Sequence, residues 1–332
     1  MWDFKLSEAI GLVRKTMPFV LFRLAIYMGI TLAYVIVTGG GAGIGYVAGK
    51  IGGNPEAGAT YGGLIGVGVV STALYFAREY LLYLVKAGHI AVLVRFLHGE
   101  QVPDGRGQVD FAQQQVKEHF GESSALFAVD QLIKGILKTF NRLTFSIASF
   151  IPIPGLQGLI KALNAVINMS LTYLDEVILA YHLKYGGEST WESAHKAVVL
   201  YAQNYKTLLK NAVFLTFFIW LLTILVFILV IGPVAALVAV FPGLAGFWTF
   251  AFTAILAYGI KAALIDPIAM TALMQVYFKT IEGQEPNPEW ESKLEKMSGK
   301  FRELKDKATS WVGGQGKKAP QQQPPSPPPA QV

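Results

Sequence analysis

The most regular polar pattern in the chain lies between residues 157 and 175, where Gln157, Lys161, Asn164, Asn168, Thr172 and Asp175 recur at spacings of 4, 3, 4, 4 and 3. That rhythm puts all six on one face of a helix, and His182 continues the face two turns further on. Amides, a hydroxyl, an ammonium and a carboxylate in one line can form the polar wall of a solute or ion path, because ionisable groups inside a bilayer face protein or water. A two-sided helix of this kind suits a membrane surface equally well, with its stripe in water. Just upstream, Asp130, Lys134, Lys138 and Arg142 recur every four residues on an otherwise apolar helix. The IPIPG segment at 151–155 forces a turn between the two arms, since each proline lacks an amide donor and pushes its predecessor out of the helical region. The result is a central polar-striped hairpin over 123–185, which either crosses the membrane or lies along it.

Other ionisable residues near apolar segments, Glu79, Glu176, Lys261 and Asp266, are candidates for the same path. The competing reading places them at headgroup depth, and for Lys261 and Asp266, near a helix exit, that reading is the stronger. Reaction chemistry has little to stand on. The five histidines, His89, His98, His119, His182 and His195, show no metal-ligand spacing, and the adjacent Asp175 and Glu176 point about 100° apart on a helix. There is no GxSxG, no P-loop and no GxGxxG between strand and helix. The expectation is a protein without enzymatic chemistry, cofactor or metal.

Composition says where such elements must sit. Of 332 residues 53% are hydrophobic and only 15% charged, against about 25% charged in ordinary soluble domains. Several apolar runs are long enough to cross a hydrocarbon core of about 30 Å. The net charge of +6 comes from basic residues flanking those runs, so it serves orientation in a bilayer and not nucleic-acid binding. With no cysteine, disulfides, thiolate metal sites and cysteine nucleophiles are excluded. The fold class read from this is all-α: a polytopic helical membrane protein with four to six transmembrane helices and amphipathic interfacial helices.

The elements follow in order. Residues 1–16 form an interfacial amphipathic helix with Trp2, Leu6, Ala9 and Val13 on one face. The helical membrane domain spans 17–278. Its first span runs from Met17 to Val37, with Arg23 near the start and free to snorkel toward headgroups. Gly41, Gly45, Gly49 and Gly53, then Gly58, Gly62 and Gly66 after Asn54-Pro55, repeat every four residues in a glycine-ladder hairpin over 39–68. Such spacing clears one helical face so that another backbone can approach closely. The second span runs from Thr60 to Val85 and carries Arg78 and Glu79. Ser189 with Glu192 fits a capping box opening an amphipathic helix, which leads into a terminal hydrophobic hairpin over 212–264 that turns at Phe241-Pro242-Gly243. Over 288–311, Trp290, Leu294, Met297, Phe301, Leu304, Ala308 and Trp311 make a heptad seam for docking on the body or for self-association. Residues 312–332 form a proline-rich tail, disordered or polyproline II, able to engage a protein partner.

Among the loops assigned to the far side, roughly 38–59, 151–155 and 241–243, only Lys50 is basic. Both termini are therefore expected in the cytoplasm of an inner (plasma) membrane protein, with four spans if the central hairpin is interfacial and six if it crosses. The expected partners are the lipid bilayer, a further copy of the chain through its packing faces, and a protein at the tail.

Two segments, YAQNYKTLLKNAVFLTFFIWLL at 201–222 and YGIKAALIDPIAMTALMQVYFKTIEG at 258–283, resemble the choline transporter-like family of polytopic membrane proteins. The likeness lies in a polar amphipathic helix running into a hydrophobic hairpin, and an acidic residue before a last apolar turn. It implies transport of choline or a related organic cation. The chain departs from the family in its short length and glycine ladder and in lacking a cysteine-rich external loop, and no family site residue is carried over. The leading expectation is a transporter-like or channel-like solute pathway; the alternative is a membrane scaffold or assembly factor acting through helix packing and its tail.

Overall fold

The computed structural model describes residues 2–77, 82–102, 107–119, 129, 131–140, 173–185, 189–239 and 246–315. Its elements are helices, and no strand occurs among the described residues. In chain order they are α1 (Leu6–Lys15), α2 (Met17–Ile51), α3 (Pro55–Ala77), α4 (Tyr83–Leu97), α5 (Gln108–His119), α6 (131–140), α7 (Leu174–Tyr185), α8 (Thr190–Gln203) and α9 (Tyr205–Val238). After these come α10 (Phe247–Ile260), a π-helical turn (Lys261–Ile265), α11 (Asp266–Ile281), α12 (Pro288–Met297) and α13 (Gly299–Gln315).

Four of these stretches are long and apolar enough to cross a membrane: Met17–Ile51, Pro55–Leu74, Tyr205–Val238 and Phe247–Ile281. Their apolar side chains are not hidden in protein. In the most apolar windows of the first and third, only 17% of residues are buried, and Leu32, Ile36, Ile44, Leu221, Ile228 and Leu237 lie exposed. Large aliphatic side chains standing outward on helix after helix are stable in lipid, where a helix also meets its backbone polar groups internally.

At 1.5 Å per residue, α2 and α9 each rise about 50 Å, well beyond a hydrocarbon core of about 30 Å. The excess is buried in a helical layer at one end of the molecule. There Val20 of α2, Leu208 and Leu215 of α9 and Leu273 of α11 share one core with side chains of α1, α4, α6, α7, α8, α12 and α13. The hairpins are thus rooted in a globular layer by their own lower turns. A separate cluster of Ala42, Val234, Val238, Trp248 and Phe252 ties the two hairpins together nearer their tips.

Several boundaries differ from the sequence expectation. The first span continues to Ile51, and the loop drawn over 38–59 contracts to Gly52–Asn54, where Gly53 takes φ 80° and the Asn54 side chain accepts from the Ala57 amide. Glycine weakens a helix in water, but in lipid no solvent competes for the backbone groups. The third span begins at Tyr205, and the fourth passes through the π turn to Ile281. The heptad helix breaks at Ser298, whose hydroxyl accepts from the Phe301 amide and so caps α13. Ser189 caps α8, accepting from the Glu192 amide.

Candidate functional site

The charged side chains gather where the hairpins enter the globular layer. Asp175 and Glu176 open α7, both buried, and Lys86 on α4 reaches both: its Nζ stands 2.5 Å from Glu176 Oε1 and 3.9 Å from Asp175 Oδ2. Lys134 of α6 approaches Asp175 at 4.0 Å. Two neighbouring carboxylates on different helical faces are thus joined by one long, flexible cation. Burial, partly offset by Lys86 and reinforced by Asp175 and Asp266, pushes the Glu176 carboxyl up to about 7. Its second oxygen has no hydrogen-bond partner among the described residues. Beside this group lies a small, largely apolar hollow with Asp175, His182, Tyr83 and Thr190 on its wall, and His182 Nδ1 stands 2.9 Å from Ser193 Oγ.

A second cluster marks the π turn. Lys261 Nζ bonds both carboxylate oxygens of Asp266 at 2.8 and 3.1 Å, and the Tyr173 hydroxyl donates to Asp266 Oδ1 at 2.9 Å. Lys261 also lies 5.7 Å from the Tyr258 ring and 5.8 Å from that of Tyr173, within cation–π range. The half-buried Lys261 and Asp266 therefore neutralise each other at the root of the fourth span.

The π turn has a local cause and a consequence. The Asp266 amide bonds the Lys261 carbonyl, five residues back, and the next residue, Pro267, has no amide hydrogen. The Ala262 carbonyl is left without a partner in its own helix, and Arg23 supplies one: its Nη2 donates to Ala262 O at 2.7 Å. Arg23 is only 3% exposed, so the side chain expected to snorkel to headgroups is instead a buried connector between the first and fourth spans. Its Nη1 stands 3.1 Å from Nδ1 of His89, a fully buried residue of α4.

The transmembrane part is chemically quieter. Thr31, Thr216, Thr223 and Thr253 donate their hydroxyls to their own helices' carbonyls four residues back, and Tyr34 and Ser71 bond one another across α2 and α3 at 3.0 Å. A methyl at Gly41, Gly45, Gly58 or Gly62 would overlap the carbonyl oxygen of the residue facing it, with Gly41 opposite Gly62 and Gly45 opposite Gly58. Gly49 faces Asn54 and Pro55, Gly66 faces Val37 and Thr38, and Gly53 sits in the turn with open space around it. Gly63 is closed by the Trp248 indole of α10.

Of the six stripe residues, Asp175 is the one among the described residues, held by Lys86 and Lys134 in the globular layer. Gln157, Lys161, Asn164, Asn168 and Thr172 lie outside them, as do Arg78 and Glu79. Among the described residues no group of three or more His, Asp or Glu side chains is placed to hold a metal ion. Sequence reasoning missed the Arg23–His89 contact; the one signal for it was a proline just after an acidic residue within a long apolar run. Set against known proteins, the chain matches no family model, no curated protein and no solved structure.

Proposed function

We propose that this protein is a membrane-anchored assembly platform, in which two transmembrane hairpins hold a helical layer at the membrane face and that layer presents a C-terminal arm to protein partners. The observation that carries this reading is how polarity is divided. Charged groups are paired in the layer and where the spans enter it, while Thr31, Thr216, Thr223 and Thr253 of the spans donate their hydroxyls to their own backbone. The arm is held firmly. Leu294, Phe301, Leu304 and Ala308 of the heptad seam are buried against the body, Phe301 stacks on His195 at 5.0 Å, and Lys307 lies 4.6 Å from the Trp191 ring. Beyond it the sequence runs into the proline-rich 316–332, a composition suited to aromatic-lined grooves of partner proteins. On the basic-residue distribution, the layer and both termini face the cytoplasm of an inner membrane. The platform performs no enzymatic chemistry.

The rival is a solute pathway along the central stripe, with an organic cation as its cargo. The two separate in one experiment with two readings. Purified protein in liposomes is tested for uptake of choline and of small inorganic ions, and native-membrane complexes of the full chain and of a chain ending at 315 are compared by size. A platform shows no uptake above empty liposomes and a defined complex that shrinks when 316–332 is removed. Uptake that falls on substitution of Asn164 and Asn168 would replace this reading with the pathway.

A further inference from the structure

His89 is the meeting point of three helices. Arg23 of α2 approaches its Nδ1, and the Thr16 hydroxyl, between α1 and α2, stands 2.9 Å from its Nε2. Phe19 stacks on the ring at 4.9 Å between centroids. A guanidinium can only donate, so Nδ1 accepts and the ring proton sits on Nε2. Nε2–H then donates to Thr16 Oγ1, whose own proton goes to the Val13 carbonyl at 2.9 Å. Every bond in the series Arg23, His89, Thr16, Val13 runs in one direction, and only the neutral imidazole with its proton on Nε2 completes it.

The surroundings offer a charged ring nothing. Thr16, Arg23 and His89 are all buried, and the charge bearing on the ring is Arg23. From α1 and its junction the facing groups are a hydroxyl and a carbonyl, and on the α5 side Gly88 packs against Ala112. On α4 itself Lys86 is engaged with Glu176 and Arg95 with Glu100 at 3.0 Å. At the π turn Lys261 and Asp266 bond each other, and Tyr27 lies near Arg23. Among the described residues no carboxylate is bonded to the imidazole.

We propose that the Arg23–His89–Thr16 series is an acid-released latch between the first span and α4. A proton on Nδ1 turns the acceptor that Arg23 requires into a second donor and sets two cations in contact in a dry site. Arg23 keeps its bond to the Ala262 carbonyl, so the first span stays with the fourth while α4 parts from both. The four-part junction of α1, α2, α4 and the π turn thereby links proton concentration at the membrane face to how tightly the hairpins and the layer are joined. This holds whatever binds the arm.

Absence of cysteine makes the test direct. Nitroxides are attached to cysteines replacing Leu21, exposed on α2, and Gln101, exposed beyond α4, and their separation is measured by pulsed electron resonance in nanodiscs over a descending pH series. The expected result is one narrow distance at pH 8 and a second, longer one that grows to dominance only as pH falls well below 6.5, the ordinary imidazole value, because burial and Arg23 hold the latched ring neutral, and vanishes when pH is restored. His89→Gln supplies a carbonyl for Arg23 and an amide for Thr16 without titrating, and is expected to keep the single distance at every pH. Glu176→Gln is expected to retain the transition. Ring-nitrogen magnetic resonance on the unaltered chain is expected to show His89 gaining its proton over the same interval. A distance that never changes, a change that survives His89→Gln, or a ring that titrates without the distance following would overturn the latch.

Discussion

Gly41 on α2 and Gly62 on α3 face each other so closely that a methyl group on either would overlap the other's carbonyl oxygen. Gly45 and Gly58 repeat the relationship one turn nearer the tip. Four residues along one antiparallel helix match four along the other, so a register set at the Gly52–Asn54 turn is kept along the hairpin.

That geometry sorts the glycines into two groups. Gly45→Ala or Gly62→Ala must push the helices apart and is expected to destabilise the hairpin by about 1–3 kcal/mol, the usual cost of overpacking. Gly40→Ala and Gly43→Ala, whose added methyl would meet nothing within 4 Å, are expected to be neutral or slightly stabilising, since alanine is the better helix former. Unfolding of the four variants in one detergent gives the comparison, and equal losses at both kinds of position would contradict it.

Arg23 and Pro267 should be coupled although neither bonds the other. Arg23→Met strips the Ala262 carbonyl and His89 Nδ1 of their donor, at about 1–3 kcal/mol for each buried group left bare. Pro267→Ala returns an amide hydrogen to the π turn and offers the Ala262 carbonyl a partner within its own helix. A double-mutant cycle is expected to show a smaller loss for Arg23→Met in the Pro267→Ala background; strict additivity would mean that the proline does not create Arg23's acceptor.

Two buried groups give stability opposite pH dependences. Burial, with Arg23 beside it, holds His89 well below the usual imidazole value of 6.5. Below pH 6.5 the unfolded chain therefore takes up a proton that the folded one refuses, and stability falls as pH falls, by up to about 1.4 kcal/mol per pH unit. Glu176 is raised from 4.5 to about 7, so between those values the folded chain holds the extra proton. Its contribution is fully present below pH 4.5 and is lost as pH rises through 7. Between 4.5 and 6.5 the two oppose each other. Melting temperatures against pH should separate them: on acidification from pH 7 to 5, His89→Gln is expected to fare better than the unaltered chain, and Glu176→Gln to fare worse. Parallel profiles would refute both assignments.

The arm should come loose as a unit. Phe301 and Leu304 are fully buried where a two-helix segment following the last span joins the common core, chiefly against α8. Phe301→Ala and Leu304→Ala are expected to unfold the arm locally and so make the bonds after Lys300, Arg302, Lys305 and Lys307 cleavable by trypsin, faster than in the unaltered chain. The nearest atoms to a methyl at Gly135 belong to the flexible Lys300 side chain, which can move aside, and Gly135→Ala is expected to leave cleavage unchanged.

The helical membrane class and the presence of apolar spans, though not their ends, were legible in composition and run length because lipid demands them: a helix exposed to hydrocarbon must be apolar and satisfy its own backbone. The glycine spacing, the Ser189 cap and the pairs Glu289–Lys293 and Glu303–Lys307 could be read for a similar reason, since each depends on residues three or four apart on one helix. What only the tertiary structure decided joins residues far apart in sequence. Arg23 meets Ala262 and His89, and Lys86 meets Glu176, because the overlong spans descend into a common layer with α4 and α7. In the sequence Arg23 is one cation at the start of an apolar run, indistinguishable from a side chain reaching for headgroups. Its buried place goes with an acceptor at a π turn that Pro267 follows, 244 residues away in sequence, and no local pattern records the geometry that brings the two together.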